Sequence, residues 1–142
     1  MEKREYKYEL HCHTSDVSLC ASSTAEEAVK FYKIPVENVI VLSDDVNLDV
    51  GRMRVRKNGS DGGQKGLRSI ILRMNSDNFP RIRFGVGKKP HPDYDMADWV
   101  LGNLSESDKK AIYDCFVVSY DGLEKLLCGD VDGAMQICNS KK

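Results

Sequence analysis

A charged strand pattern, followed at once by a glycine-rich turn, constrains the fold most. Arg52, Arg54 and Arg56 alternate with Met53 and Val55, and because side chains alternate across a strand, the arginines share one face and the apolar residues the other. Four glycines follow within residues 59–66, just before an apolar run typical of a helix. Glycines let a backbone approach a ligand closely, and N–H groups at a helix start can receive a phosphate. The segment therefore indicates a site for a phosphate-bearing ligand, with a solvated edge strand and an ordinary turn as the alternative.

The charge of the chain is distributed unevenly. Residues 51–90 contain eleven Lys and Arg against two acids, a net charge of +9, so the remainder must carry −10 to give the overall −1. A basic zone of this density is the electrostatic footprint of a protein that binds a polyanion, and RNA is the leading candidate. Phe79 and Phe84 are the only aromatic residues in the zone. Contact with an RNA backbone or helix is therefore favoured over stacking on single-stranded bases.

Strand and helix patterns alternate along the chain, which predicts an α/β fold with a mixed sheet flanked by helices. The predicted strands are Tyr6–Cys12, Val39–Ser43 (buried), Arg52–Lys57 (an exposed edge) and Arg81–Val86. The predicted helices are Thr24–Tyr32, Gln64–Met74, Met96–Leu101, one that runs from a cap at Ser105 or Ser107 to Gly129, and Val131–Cys138. In the long helix the apolar face is predicted to comprise Ile112, Cys115, Phe116, Tyr120, Leu123, Leu126 and Leu127.

Length and composition favour one soluble domain, since 142 residues with 41% apolar side chains can bury a core. The sequence contains no run of 18 apolar residues, and its charged opening lacks the apolar stretch of a signal peptide. We therefore expect a cytoplasmic protein without a membrane partner. Five scattered cysteines fit a reducing compartment better than a disulfide framework, and Cys115 and Cys138 are predicted to be core residues.

Four ordered blocks of the sequence resemble bacterial-type peptidyl-tRNA hydrolases. The blocks are residues 31–48, which end in Ser-Asp-Asp-Val-Asn-Leu; residues 59–71, which begin Gly-Ser-Asp-Gly-Gly-Gln-Lys-Gly; Phe-Pro-Arg-Ile-Arg-Phe-Gly-Val-Gly at 79–87; and Ala-Asp-Trp-Val-Leu-Gly at 97–102. The resemblance covers the later part of that fold. The family's opening segments, among them Arg-His-Asn, find no match, so we expect residues 25–142 to form an incomplete domain that lacks the family's N-terminal strands.

The resemblance implies hydrolysis of the ester between a peptide and the 3′ ribose of tRNA, without a cofactor. In the family a histidine of the Arg-His-Asn segment is the base, and an aspartate that corresponds to Asp44 orients it. A glycine-loop asparagine that contacts the RNA acceptor end corresponds to Lys65, preceded by Gln64. The expected tRNA-binding residues are Gly63, Gln64, Lys65, Arg54, Arg56 and Arg68. Because the base has no counterpart, we expect impaired hydrolysis or an inactive remnant that still binds RNA.

The N-terminal segment, residues 1–24, is similar to the start of a different family, the polymerase-and-histidinol-phosphatase (PHP) metal-dependent phosphoesterases. His11 and His13 are two residues apart, so on a strand they would point to one face and could reach one metal ion. A metal-dependent phosphoesterase is therefore the alternative function. A zinc-type centre needs at least three protein ligands, and the third histidine, His91, has an unrelated context. A plain surface strand, a fused gene and a gene-calling error are further interpretations.

A sheet without the family's first strands would leave edges unpaired. Unpaired edges invite association, so we expect self-association through them unless Tyr6–Cys12 fills the gap.

Overall fold

A computed structural model describes residues 25–89, 91, 93, 99, 102 and 104–140. Its contacts divide the chain into two compact units, Met1–Ile34 and Pro35–Lys142. In the first unit, helix α1 spans Ala25–Phe31, close to the predicted range. The predicted strand Tyr6–Cys12, with His11 and His13, lies outside the described residues, and so does most of the predicted helix Met96–Leu101.

The second unit contains a three-stranded mixed sheet among its described residues. Strand β1 spans Val41–Asp45, β2 spans Met53–Arg56 and β3 spans Arg81–Gly85. In the order β1-β3-β2, the pair β1 and β3 is parallel and the pair β2 and β3 is antiparallel. Within the described ranges, a 3-10 turn at Val36–Asn38 precedes the sheet, and the sheet is accompanied by helices α2 at Lys65–Met74, α3 at Glu106–Leu127 and α4 at Val131–Asn139. The predicted α/β fold with a mixed sheet flanked by helices is confirmed.

The main core lies between one face of the sheet and the pair α3 and α4. Its members come from β2, β3, α3 and α4, and they are Met53, Val55, Ile82, Phe84, Cys115, Leu126, Ala134 and Cys138. Leu67 of α2 and Phe79 are also buried but do not belong to this cluster. The prediction that Cys115 and Cys138 are core residues is confirmed, since their exposed fractions are 1% and 0%.

One detail of the predicted burial is wrong, and a second feature of the packing was not predicted. Strand β1 is not a buried strand: Leu42 is 53% exposed, although its register partner Ile82 is fully buried. In α3 the packed face is Cys115, Ser119, Gly122 and Leu126, whereas Phe116 and Tyr120 are 50% and 63% exposed. The physical reason is that a Cβ at Gly122 would overlap Cys138 Sγ, so α4 approaches α3 along its small residues rather than its large ones.

None of the helices in the described part of the chain is both long and apolar enough to cross a membrane.

Candidate functional site

The site lies where β1 and β3 end. Because these strands are parallel, their carboxyl ends share one edge of the sheet, which is where open α/β sheets bind ligands. Asp44, the next-to-last residue of β1, is partly buried there. Its Oδ1 accepts a hydrogen bond of 2.9 Å from Gln64 Nε2. The predicted orienting carboxylate is thus placed against the start of α2.

Gln64 connects Asp44 to α2 by using both ends of its amide. It is the N-cap of the helix, and its Oε1 accepts a hydrogen bond of 2.5 Å from the N–H of Leu67. An N-cap of this kind satisfies a backbone donor that has no partner within the helix. The amide of Gln64, predicted to contact tRNA, is therefore engaged within the chain, and it fixes the helix start relative to Asp44.

Arg81, which is only 1% exposed, binds the backbone of the glycine-rich loop. Arg81 Nη1 donates to the carbonyls of Gly59 and Ser60 at 2.6 and 3.3 Å, and Nη2 donates to the carbonyl of Asp77 at 2.7 Å. The guanidinium also lies 4.3 Å from the centre of the Phe79 ring. Burial lowers the pKa of Arg81 from its ordinary value. This arginine shapes the loop and is not available to a ligand.

Arg83, the next arginine on the same face of β3, lies between Asp45 and the loop. Its Nε is 3.0 Å from Asp45 Oδ2, and only 19% and 4% of the two side chains are exposed. A Cβ at Gly62 would lie 2.7 Å from Arg83 Nη2, and Gly62 has a φ of +59°, so both space and backbone favour glycine. Since Arg81 and Arg83 are both engaged internally, the exposed basic zone is smaller than the sequence count implies.

The arginine stripe of β2 is confirmed. Met53 and Val55 are 6% and 0% exposed, while Arg54 and Arg56 are exposed on the opposite face. In register, Arg54 pairs with Arg83 and Arg56 pairs with Arg81, and paired residues project from the same face of a sheet. The stripe therefore shares its face with the two arginines that border the glycine-rich loop. No ion pair to a residue in the described ranges occupies Arg54 or Arg56.

The remaining predicted tRNA-binding residues surround the loop end. Lys65, the first residue of α2, is exposed, and Gly63 has a φ of +87° with open space where a Cβ would stand. Arg68 Nε lies 3.1 Å from Asp61 Oδ2, and the N–H of Gly63 donates to Asp61 Oδ1 at 2.6 Å. The hydrogen bond from Arg68, followed by that from Gly63, lowers the pKa of Asp61. Arg68 thus carries a charge that Asp61 already balances in part.

The rim of the site contains residues that sequence reasoning missed. The loop from β1 to β2 crosses the end of β3 so closely that a Cβ at Gly85 would overlap the carbonyl oxygen of Asp49. The indole N–H of Trp99 donates to the carbonyl of Gly87 at 3.0 Å. The signal for Gly85 was present in the Phe-Gly-Val-Gly of the third block, but its reason, close backbone approach, appears only in three dimensions.

Chemically, the site joins an oriented carboxylate to an open cationic face. In the ranges that the structure describes, the side chain hydrogen-bonded to Asp44 is that of Gln64, and the one histidine, His91, is exposed beside Asp93 at 3.7 Å. The described residues also include no group of three side chains suited to a metal ion. His11 and His13 lie outside them, so the metal-dependent alternative stays a prediction.

Comparison with known proteins gives a consistent result. The family model described as Peptidyl-tRNA hydrolase matches residues 20–142. The chain is 46% identical over 113 residues to the peptidyl-tRNA hydrolase of Thermoanaerobacter pseudethanolicus, which covers 80% of this chain and 60% of that protein. It is 39% identical over 122 residues to the enzyme of Clostridium botulinum strain Eklund 17B, with 86% and 62% covered.

Solved structures agree with this result. The fold is similar to the crystal structure of peptidyl-tRNA hydrolase from Acinetobacter baumannii, with a TM-score of 0.78 and 26% identity over 84% of this chain and 60% of that one. The chain therefore spans about three fifths of the length of the curated relatives it matches.

Proposed function

The chain belongs to the peptidyl-tRNA hydrolase family, and we propose that it binds peptidyl-tRNA and acts on the ester between the peptide and the 3′ ribose. The observation that carries the proposal is the register of β2 with β3. Because of this register, the exposed Arg54 and Arg56 lie on the face that borders the glycine-rich loop. The loop ends at Gln64, which donates a hydrogen bond to Asp44.

In this proposal, Arg54 and Arg56 contact phosphates of the tRNA backbone. Arginine suits this role because its planar guanidinium can donate two parallel hydrogen bonds to one phosphate. Gly63 and Lys65 face the acceptor end, since Gly63 leaves open space and Lys65 is exposed at the start of α2. A lysine there supplies a point charge, and it cannot reproduce the paired donor and acceptor of an amide.

Asp44 is the proposed orienting group of the catalytic step. A base needs its ring position and tautomer fixed by an acceptor, and a carboxylate held by Gln64 is suited to that. The family's base histidine has no counterpart among the matched residues, and His11 and His13 are the histidines to be tested in its place. We therefore propose that this chain hydrolyses peptidyl-tRNA much more slowly than a complete family member.

Binding is tested by titrating labelled tRNA at several salt concentrations. Each phosphate neutralised on duplex RNA releases counterions, so the log–log slope should be negative, with roughly −0.9 for each contact. Replacing both Arg54 and Arg56 with Ala should reduce the magnitude of the slope by the contribution of about two phosphate contacts. The matched control replaces Lys110 and Lys125 of α3, which removes the same charge elsewhere and should leave most of the slope. Equal effects of the two double variants would contradict a defined phosphate-binding face.

Catalysis is tested by release of peptide from a defined peptidyl-tRNA. Wild type, Asp44→Asn, His11→Ala and His13→Ala are compared, since a positioned general base contributes about 10²–10⁴-fold. We expect slow release that falls with Asp44→Asn and with one of the two histidine substitutions. Binding of peptidyl-tRNA without any release of peptide would contradict the proposed hydrolysis and would leave RNA binding as the function. Fast release that survives both histidine substitutions would overturn the assigned base.

A further inference from the structure

Helix α3 carries a stripe of large apolar side chains that face solvent. The stripe consists of Tyr113, Phe116, Val117 and Tyr120, whose exposed fractions are 66%, 50%, 56% and 63%. Residues separated by three, four and seven positions lie on one side of a helix. These four side chains therefore form one continuous surface, which we call the α3 stripe.

The α3 stripe is part of the packed fold rather than a frayed end. The ring of Phe116 makes an edge-to-face contact with that of buried Phe84, with ring centres 4.9 Å apart. Next to the stripe, Cys115, Ser119 and Leu126 of the same helix are buried. A contiguous apolar surface on a well-anchored helix marks an interaction site more often than an accident of composition.

Charges at the two ends of the stripe identify the partner. Lys109 lies four residues before Tyr113, and Glu124 lies four residues after Tyr120, so both continue the same side of the helix. A twofold axis between Phe116 and Val117 would pair Tyr113 with Tyr120 and Lys109 with Glu124 of a second helix. The stripe is thus complementary to an antiparallel copy of itself, as an isologous dimer contact requires.

The positions of these two charges support the same partner. The first turn of α3 contains Glu106 and Asp108 and its last turn contains Lys125, as the helix dipole favours, whereas Lys109 and Glu124 beside them have the opposite sign. In an antiparallel pair each charge would instead meet an opposite charge. Within one chain Lys109 Nζ lies 2.6 Å from Glu106 Oε1, but both side chains are exposed, and such pairs contribute little. This contact can therefore exchange for one with a second chain.

We propose that two copies of this chain associate through antiparallel α3 stripes, with a Lys109–Glu124 ion pair at each end. The contact involves neither Asp44 nor the arginine stripe, so it is independent of the proposed function. A single helix pair buries less surface than a stable protein–protein interface, so the dimer should be weak and should form only as the protein is concentrated.

Analytical ultracentrifugation of the full chain over a wide concentration range tests the contact. Wild type should shift from monomer to dimer, whereas Val117→Glu and Tyr120→Glu should stay monomeric across the range. The matched control is Leu72→Glu on α2, because Leu72 is 73% exposed outside the stripe, and this variant should dimerise like wild type. Circular dichroism confirms that each variant is folded. A monomeric wild type, or equal loss in the control, would overturn the proposal.

Charge exchange tests the orientation. Lys109→Glu alone would place two carboxylates together at each end, and Glu124→Lys alone would place two ammonium groups together, so each should weaken dimerisation. The double variant restores opposite charges in an antiparallel dimer and should recover wild-type dimerisation. Failure of the double variant to recover would show that the stripe does not pair in this way, and the proposal would be wrong.

Discussion

At the scale of single residues, Gln64 illustrates how the candidate site is built. Its amide caps α2 and at the same time binds Asp44, twenty residues earlier in the chain. The sequence resemblance placed Gln64 among the residues expected to bind tRNA and did not predict its contact with Asp44. Capping by Gln64 could not be read from the sequence, because the preferred N-cap residues are Ser, Thr, Asp and Asn.

Replacing Gln64 with Glu should test this bridge. The variant keeps an oxygen for the N–H of Leu67, but it puts a second carboxylate against Asp44. Repulsion between the two raises the folded-state pKa of the introduced carboxyl above its unfolded value of about 4.3. The folded state then binds more protons than the unfolded state, so stability relative to wild type should be lowest near neutral pH and should recover as the pH falls through the raised pKa.

Urea denaturation at about pH 5 and pH 7 measures this difference, since one pKa unit corresponds to about 1.4 kcal/mol. The control is Gln64→Leu, which loses the cap and the bridge without adding charge. This variant should lower the free energy of unfolding by about 1–2 kcal/mol, and the decrease should be similar at both pH values. A deficit of Gln64→Glu that did not depend on pH would contradict the close contact.

Arg81 and Arg83 show a limit of counting charges in a sequence. Both alternate with apolar residues and belong to the basic zone, as Arg54 and Arg56 do. Yet Arg81 is buried against backbone carbonyls and Arg83 lies against Asp45, because β3 is the central strand of the described sheet. Strand order decides which arginines reach solvent, and a single sequence does not reveal it.

At the scale of secondary-structure elements, patterns predicted the existence of the described helices and strands, with ends that differ by one or two residues. They did not predict which residues of α3 pack most closely, since Gly122 is buried while Phe116 and Tyr120 are exposed. Hydrophobic spacing identifies a helix, but the choice of packed face depends on the partner. Here α4 packs against the small residues of α3, and a Cβ at Gly122 would overlap Cys138 of α4.

Gly122→Ala should therefore destabilise the protein despite a gain in helix propensity. The added methyl group overlaps Cys138 Sγ, which is fully buried. Overpacking typically costs about 1–3 kcal/mol, and Ala in place of Gly returns up to about 1 kcal/mol. Adding Cys138→Ala removes the overlapping atom, so the double variant should be more stable than the sum of the two single effects predicts. Additive changes in the free energy of unfolding would contradict this packing.

Asn139 protects the outer edge of β2. Its Oδ1 accepts from the N–H of Val55 at 2.7 Å, and its Nδ2 donates to the carbonyl of Val55 at 3.2 Å. The side chain thus takes the place of a neighbouring strand at this position. The sequence predicted Arg52–Lys57 to be an exposed edge strand, and it could not predict that a residue 84 positions after Val55 would pair with that edge.

Asn139→Ala should leave both backbone groups of Val55 without these partners. Val55 is fully buried, so we expect a loss of about 1–3 kcal/mol in the free energy of unfolding. Hydrogen exchange measured by NMR should show faster exchange of the Val55 amide. Ser140→Ala, one residue on and exposed, removes a hydroxyl that donates to the carbonyl of Ile137 and should change neither quantity. Unchanged exchange in Asn139→Ala would contradict the edge contact.

At the scale of the whole molecule, alternation of strands and helices was enough to predict the fold class, and the ordered blocks were enough to predict the family. The strand order β1-β3-β2 and the course of the loop over Gly85 came only from the structure. Both depend on contacts between residues that are distant in sequence. The contacts divide the chain after Ile34, and the domain boundary at residue 24 that the sequence suggested stays a prediction.

Limited proteolysis with trypsin tests that division. Tyr32 and Ile34 are 67% and 36% exposed, and Lys33 between them has a left-handed φ of 51°. An exposed connection outside helices and strands is a preferred site of cleavage, whereas Arg54 and Arg56 lie in a paired strand. We therefore expect early cleavage after Lys33 and a persistent fragment that begins near Pro35. Because residues 35–142 group as one compact unit, the fragment should unfold cooperatively, with a melting temperature close to that of the full chain. Early cleavage within β2, or a fragment without a cooperative transition, would show that residues 35–142 do not fold as one unit.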